Sequence, residues 1–316
     1  MEDSWVAKEE GSAYTRGSMV RTKLQAAFPH LVRYGLLLLP LSVVLTFIVI
    51  PLVRTVWESF LAINARGLAT GPAGLKNYRE LFASHLFRLV LRNTLLYAVL
   101  SVILCLVIAF FLSLLLNQKR NFSSRPLLIG LFSPTVIPMI AAASVWQYFL
   151  APRFGLVDRM LSFLGLGHEN WLGHPGTALG VLVLLFVWKY APYFTLFLLA
   201  GLQSIPPEVR EALRTEDPHH LYSFRKVILP VIAPMISFVT VMSVVYALET
   251  VDPVYVLTQG GPNNGTNLIM YYLYNLGFNY FSWGMAAALS TLLMAGLSAL
   301  SAFALITLER RTFHWQ

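Results

Sequence analysis

A single cysteine, Cys105, leaves no disulfide framework and no thiolate metal centre to build. It lies inside an apolar run and reads as a small buried side chain. Charge is equally scarce. Asp, Glu, Lys and Arg make up 12% of the chain, about half the share of a soluble domain. No G-x-x-x-x-G-K-[ST] occurs, so the chain carries no phosphate loop of its own. G-x-S-x-G, H-E-x-x-H and a pair of aspartates inside an apolar run are missing too, which removes the usual routes to an intramembrane enzyme. His219 and His220 are adjacent and cannot face one metal from a helix, so they read as hydrated side chains. No metal site and no cofactor bound by the chain itself is expected.

What is present is apolar. Hydrophobic residues form 57% of the chain and the mean hydropathy is +0.64, the composition of a membrane protein. A crossing needs about 20 apolar residues. Six runs qualify: Tyr34–Val56, Val90–Leu116, Leu127–Leu150, Ala178–Gly201, Ile228–Leu248 and Gly284–Leu308. Residues 1–33 read as a polar tail rather than a cleavable leader, because the first apolar run is long enough to span and ends without a small-residue cleavage site. The expected organisation is therefore a tail over 1–33, an all-α six-span domain over 34–309, and a short tail over 310–316.

Orientation follows Lys and Arg. The segment from Glu249 to Trp283 contains neither, which places it outside; Lys119, Arg120 and Arg125 in the second loop and Arg210, Arg214, Arg225 and Lys226 in the fourth favour the inside. The first loop, with Arg54, Arg66, Lys76, Arg79, Arg88 and Arg92, argues the other way. The balance sets both termini inside. The net charge of +8 then reflects loops against an anionic leaflet and needs no nucleic acid.

Between spans, "GLKNYRELFASHLFRLVLRNTLLYAV" reads as an interfacial helix running into the second span, with Asn77 as cap and Leu75 as staple. The third loop alternates turn signals with a short apolar helix. The fourth, 204–227, is a charged island between two apolar walls. "PPEVREALRTE" starts with prolines where a missing N–H does no harm and continues with good helix formers. "DPHHLYSFRKV" starts again, with Asp217 able to cap and Pro218 at the first helical position. Two short helices joined at a sharp break are expected there.

"EALRTEDPHHLYSFRKVILPVIAP" resembles the cytoplasmic loop signature of binding-protein-dependent ABC importer permeases, in which EAA-x-x-DGA leads to F, then I-x-LP and a later P. Glu211, Ala212, Phe224, Leu229, Pro230 and Pro234 fall in register. The likeness covers nearly the whole chain. "GLKNYRELF", "SPTVIPMIAAASVWQYFLAPRFGL" and "YVLTQGGPNNGTNLIMYYLYNLGFNYFSWGMAAALS" all look like the sugar-type subfamily, and like the member of its heterodimeric pair that carries the GGP loop. Departures are Leu213 for the family's second Ala, Glu216 for its Asp, and Asp217-Pro218 for its Gly-Ala.

The resemblance implies a type I importer permease in a bacterial or archaeal cytoplasmic membrane, importing a sugar or related polar solute by alternating access. It implies a second permease subunit, two ABC ATPases carrying ATP and Mg, and an extracytoplasmic solute-binding protein. It makes the island a coupling helix, with Glu211, Ala212, Leu213, Glu216, Asp217, Pro218 and Phe224 toward the ATPase. Gly260, Gly261 and Pro262 read as a turn from their residue types, and the family suggests that this loop approaches the binding protein.

Candidate path residues come from polar groups in apolar runs. Asn93, Tyr97 and Ser101 form a stripe at i, i+4, i+8, which either lines a path or joins helices. Lys189, Glu249 and Asp252 contact solute, are paired structurally or, for Lys189, snorkel toward the interface. Trp146, Trp188 and Tyr246 offer faces for a sugar ring or simply pack. A secondary transporter or channel is the rival reading. It predicts inverted repeats, interrupted helices or several membrane-buried carboxylates and leaves the island unexplained.

Overall fold

The computed structural model describes residues 35–118, 125–165, 170–206, 208, 226 and 228–312. The coupling-loop candidates Glu211, Ala212, Leu213, Glu216, Asp217, Pro218 and Phe224 lie outside the described residues. Cα packing divides the chain into two units, Met1–Trp57 and Glu58–Gln316.

The described part of the first unit is one long helix, α1, Gly35–Glu58, which runs one residue past the unit. Pro51 sits inside it and cannot donate to the carbonyl four residues back. The turn just before it, Leu45–Val49, widens to π-helix, with Ile50 N–H reaching Leu45 O. The wider turn absorbs the lost donor.

The second unit opens with a small antiparallel hairpin, β1 Leu61–Ile63 and β2 Ala69–Pro72, which the apolar-run reading does not anticipate. Asn64 Oδ1 accepts from the N–H groups of Arg66 and Leu68, and Gly67 takes φ +78° to close the turn. Helix α2, Lys76–Ala83, follows. Asn77 does not cap it. Its amide sits one residue inside the helix and donates to Ser59 O and Leu61 O at 2.8 and 3.0 Å, fastening α2 to the hairpin. Nor does α2 run on into the second span. Ser84 turns extended (ψ 123°) and its hydroxyl accepts from Phe87 N–H, starting a new helix.

That helix, α3 (His85–Gln118), pairs with α7 (Pro175–Gln203) in the most extensive helix contact among the described residues. The sequence makes this possible. Tyr97, Ser101, Cys105, Ala109 and Ser113 recur every four residues and are all fully buried, so below Tyr97 the facing side chains are small. Small residues let two backbones approach closely in a membrane. Thr195 Oγ1 of α7 reaches Ala109 O of α3 at 3.3 Å. Leu182, Leu185, Phe186, Phe194 and Leu198 of α7 complete the core. Helix α8, Leu229–Leu248, packs on both, and α10, Trp283–Thr312, packs on α8 and α2.

The third expected span, Leu127–Leu150, is not one helix. It is α4, Arg125–Val136, and α5, Met139–Phe149, meeting at 111°. Pro138 is the cause. It lacks the N–H that would continue the ladder and forces Ile137 away from helical geometry. Among the described residues, five helices are thus long and apolar enough to cross a membrane, six if the bent pair is one span. The all-α, polytopic expectation holds with that amendment. The short helix expected in the third loop is α6, Leu156–Phe163.

Candidate translocation site

On α7, Tyr190, Tyr193, Phe194 and Phe197 stand at i, i+3, i+4 and i+7, so they share one face. Tyr246 of α8 meets that face, with ring centroids 5.1 Å from Tyr190, 6.4 Å from Tyr193 and 6.0 Å from Phe194. Phe186 and Phe194 are fully buried behind it, and Phe186 lies 4.7 Å from Tyr190. Tyr190, Tyr193 and Tyr246 are only half-buried. Three phenols are therefore held by a packed wall of rings, with part of each left open.

Glu249 caps the C-terminus of α8, three residues beyond Tyr246, and is exposed; Asp252 follows, half-buried. Neither carboxylate is ion-paired with a basic side chain among the described residues. The sequence reading named Tyr246, Glu249 and Asp252 but missed Tyr190 and Tyr193. Their signal was the helical spacing of tyrosines inside an apolar run.

Trp188 is not part of this face. Two residues before Tyr190, it points roughly 200° around the helix. It meets Trp146 of α5 at 5.8 Å beside an apolar groove that includes Ile108, Leu131, Pro134 and Pro192. Lys189 is 7% exposed, and its ammonium donates to the carbonyls of Pro134, at 3.2 Å, and Ile137. Its nitrogen lies 5.9 Å from the centroid of the Tyr190 ring.

Two members of the polar stripe on α3, Asn93 and Tyr97, make bonds to other elements. Asn93 donates to Asn264 O at 2.7 Å, and the Tyr97 hydroxyl pairs with Thr250 Oγ1 at 3.2 Å. Thr94, between them, accepts from Ile269 N–H at 2.8 Å. It satisfies the first orphan donor of α9, Ile269–Tyr274. Asn93 and Tyr97 thus tie the fifth loop and the end of α8 to α3.

Gly260, Gly261 and Pro262 form the expected turn, with a cis bond between Gly261 and Pro262. Gly260 is buried at φ +81°, and a Cβ there would come within 3.1 Å of Tyr271. A Cβ on Gly265 would meet Pro175 at 2.5 Å. Thr266 Oγ1 closes the loop on Thr258 Oγ1 and Gly261 O. Asn263 and Asn264, both at positive φ, are left exposed at the tip. Among the described residues, no group of His, Cys, Asp or Glu is arranged to hold a metal.

Comparison with known proteins gives a consistent result. The family described as "Binding-protein-dependent transport system inner membrane component" matches residues 107–313. The trehalose/maltose transport system permease protein MalF of Thermococcus litoralis is 33% identical over 262 residues, 81% of this chain and 87% of the relative. The sn-glycerol-3-phosphate transport system permease protein UgpA of Yersinia pestis is 31% identical over 279 residues, 88% and 94% of the two chains. Among solved structures, a chain of a bacterial ABC transporter that imports the acidic polysaccharide alginate superposes with a TM-score of 0.78. It is 22% identical and is covered to 99%, against 92% of this chain.

Proposed function

Because this chain belongs to the family of binding-protein-dependent transport system inner membrane components, we propose that it is the permease subunit of an ATP-driven importer of a sugar or related polar solute. A second permease subunit completes the path, two ABC ATPases hydrolyse ATP with Mg below, and a solute-binding protein delivers from outside. Access alternates as the ATPases close and open. No bond in the solute is made or broken.

The observation that carries the solute class is the open tyrosine face of Tyr190, Tyr193 and Tyr246 with Glu249 and Asp252 beside it, neither ion-paired among the described residues. A sugar ring presents C–H groups that suit an aromatic face, and its hydroxyls are donors to carboxylates and phenols. The interrupted α4–α5 segment is the one observation that favours the secondary-transporter reading. The family match outweighs it. The test is reconstitution with the genetic neighbours. ATPase and binding-protein partners that purify with the chain, and uptake that requires ATP, are the expected result. Uptake by the lone chain without ATP would defeat the reading.

The same proposal sets the termini and the island inside and the Gly260–Pro262 loop outside, toward the binding protein. A cysteine at exposed Asn263 or Asn264 should then react with an impermeant maleimide in intact cells, and one at Ser223 should not. Reversed labelling would overturn the orientation and, with it, the coupling role of the island.

A further inference from the structure

In a continuous helix the carbonyl of Pro134 would accept from the N–H of residue 138. That residue is proline and has none to give. The atom standing in its place is Lys189 Nζ, 3.2 Å from Pro134 O and also bonded to Ile137 O. A cation is the group best suited to the negative end of a helix, and unpaired carbonyls are costly at membrane depth. Lys189 is buried, its N–H groups reach two carbonyls, and no carboxylate is paired with it among the described residues.

We infer that Lys189 is a positioning residue that keeps the third membrane segment broken, acting as a tethered cation on Pro134 O, which Pro138 leaves without a donor, and on Ile137 O at the break. The consequence reaches the translocation site through α5. With the break held, Trp146 packs on Trp188, and Gln147 Nε2 donates to Val256 O at 3.1 Å. Val256 lies in the π-helical turn Val254–Thr258 that leads from Asp252 to Gly260. Lys189 also stands over Tyr190. One side chain therefore sets both the tyrosine and the segment under the outer loop.

The test needs no solute. In the assembled complex with Cys105→Ala, spin labels go on cysteines replacing the exposed Tyr148 of α5 and Leu184 of α7. Tyr148 is ten positions past the break, a lever of roughly 15 Å. Lys189→Met should lower the thermal stability of the complex. Adding Pro138→Ala restores the missing N–H, so the double variant should regain stability while the labels move by about 10 Å or more as the segment straightens. A lysine that only relieves a buried polar group predicts regained stability with no movement, and that result would overturn the inference. So would a Lys189→Met complex indistinguishable from wild type. If Lys189→Met fails to assemble, recovery of assembly in the double variant supports the inference, and its failure refutes it.

Discussion

Replacing Asp217 and Pro218 together by alanine should abolish solute-stimulated ATP hydrolysis in the reconstituted complex, while Asp217→Gly with Pro218→Ala should leave it largely intact. The family signature places Gly-Ala at these positions, and glycine permits a sharp turn between two short helices. Here Asp217 can cap and Pro218 fixes φ, so the break can form by another route. Alanine at both removes the cap, worth about 1 kcal/mol, and the fixed φ as well. The larger effect is geometric, since one straight helix cannot enter a cleft shaped for a bent one. Glu211→Lys reverses a charge at the proposed ATPase contact and should uncouple the complex without preventing assembly. Full stimulation in the Ala-Ala and Glu211→Lys variants would reduce the island to a solvated loop.

Tyr190→Ala and Tyr246→Ala should each raise the solute concentration for half-maximal uptake by about tenfold, equivalent to about 1.4 kcal/mol. An aromatic contact contributes about 0.5–1.5 kcal/mol beyond the area it buries. The rings also support each other at 5.1 Å, so removing one loosens its neighbour. Trp188→Ala is the control. Its ring lies against Trp146 and the apolar groove, and the half-maximal concentration should move less than about threefold. A strong effect at Trp188 with none at the tyrosines would place the solute on the other side of α7.

Four of the expected spans lie within a few residues of α1, α7, α8 and the start of α10, because an apolar run of crossing length leaves a chain little choice. The second begins five residues before its expected start, at His85, because Ser84 supplies a new cap. The break at Pro138 was legible residue by residue but not by hydropathy, which averages over Pro134 and Pro138 alike. The hairpin escaped because its strands are three and four residues long. For the site, residue type pointed to Tyr246, Glu249 and Asp252, while only the packing of α7 on α8 reveals Tyr190 and Tyr193 beside them. Asn93 and Tyr97 had two readings from spacing alone. Their partners, Asn264 and Thr250, lie more than 150 positions away, beyond the reach of any local pattern.

The four-residue stripe of Ser101, Cys105, Ala109 and Ser113 has a mechanical meaning. Where small side chains bring two helices nearly backbone to backbone, a fractional slide collides, and the next matching register lies a full turn of about 5.4 Å away. Thr195 pins this seam at Ala109 O. Helices α3 and α7 should therefore travel as a single strut through the transport cycle. The sliding that opens one side and closes the other would then fall to other seams and, in the proposed complex, to the joint with a second permease subunit.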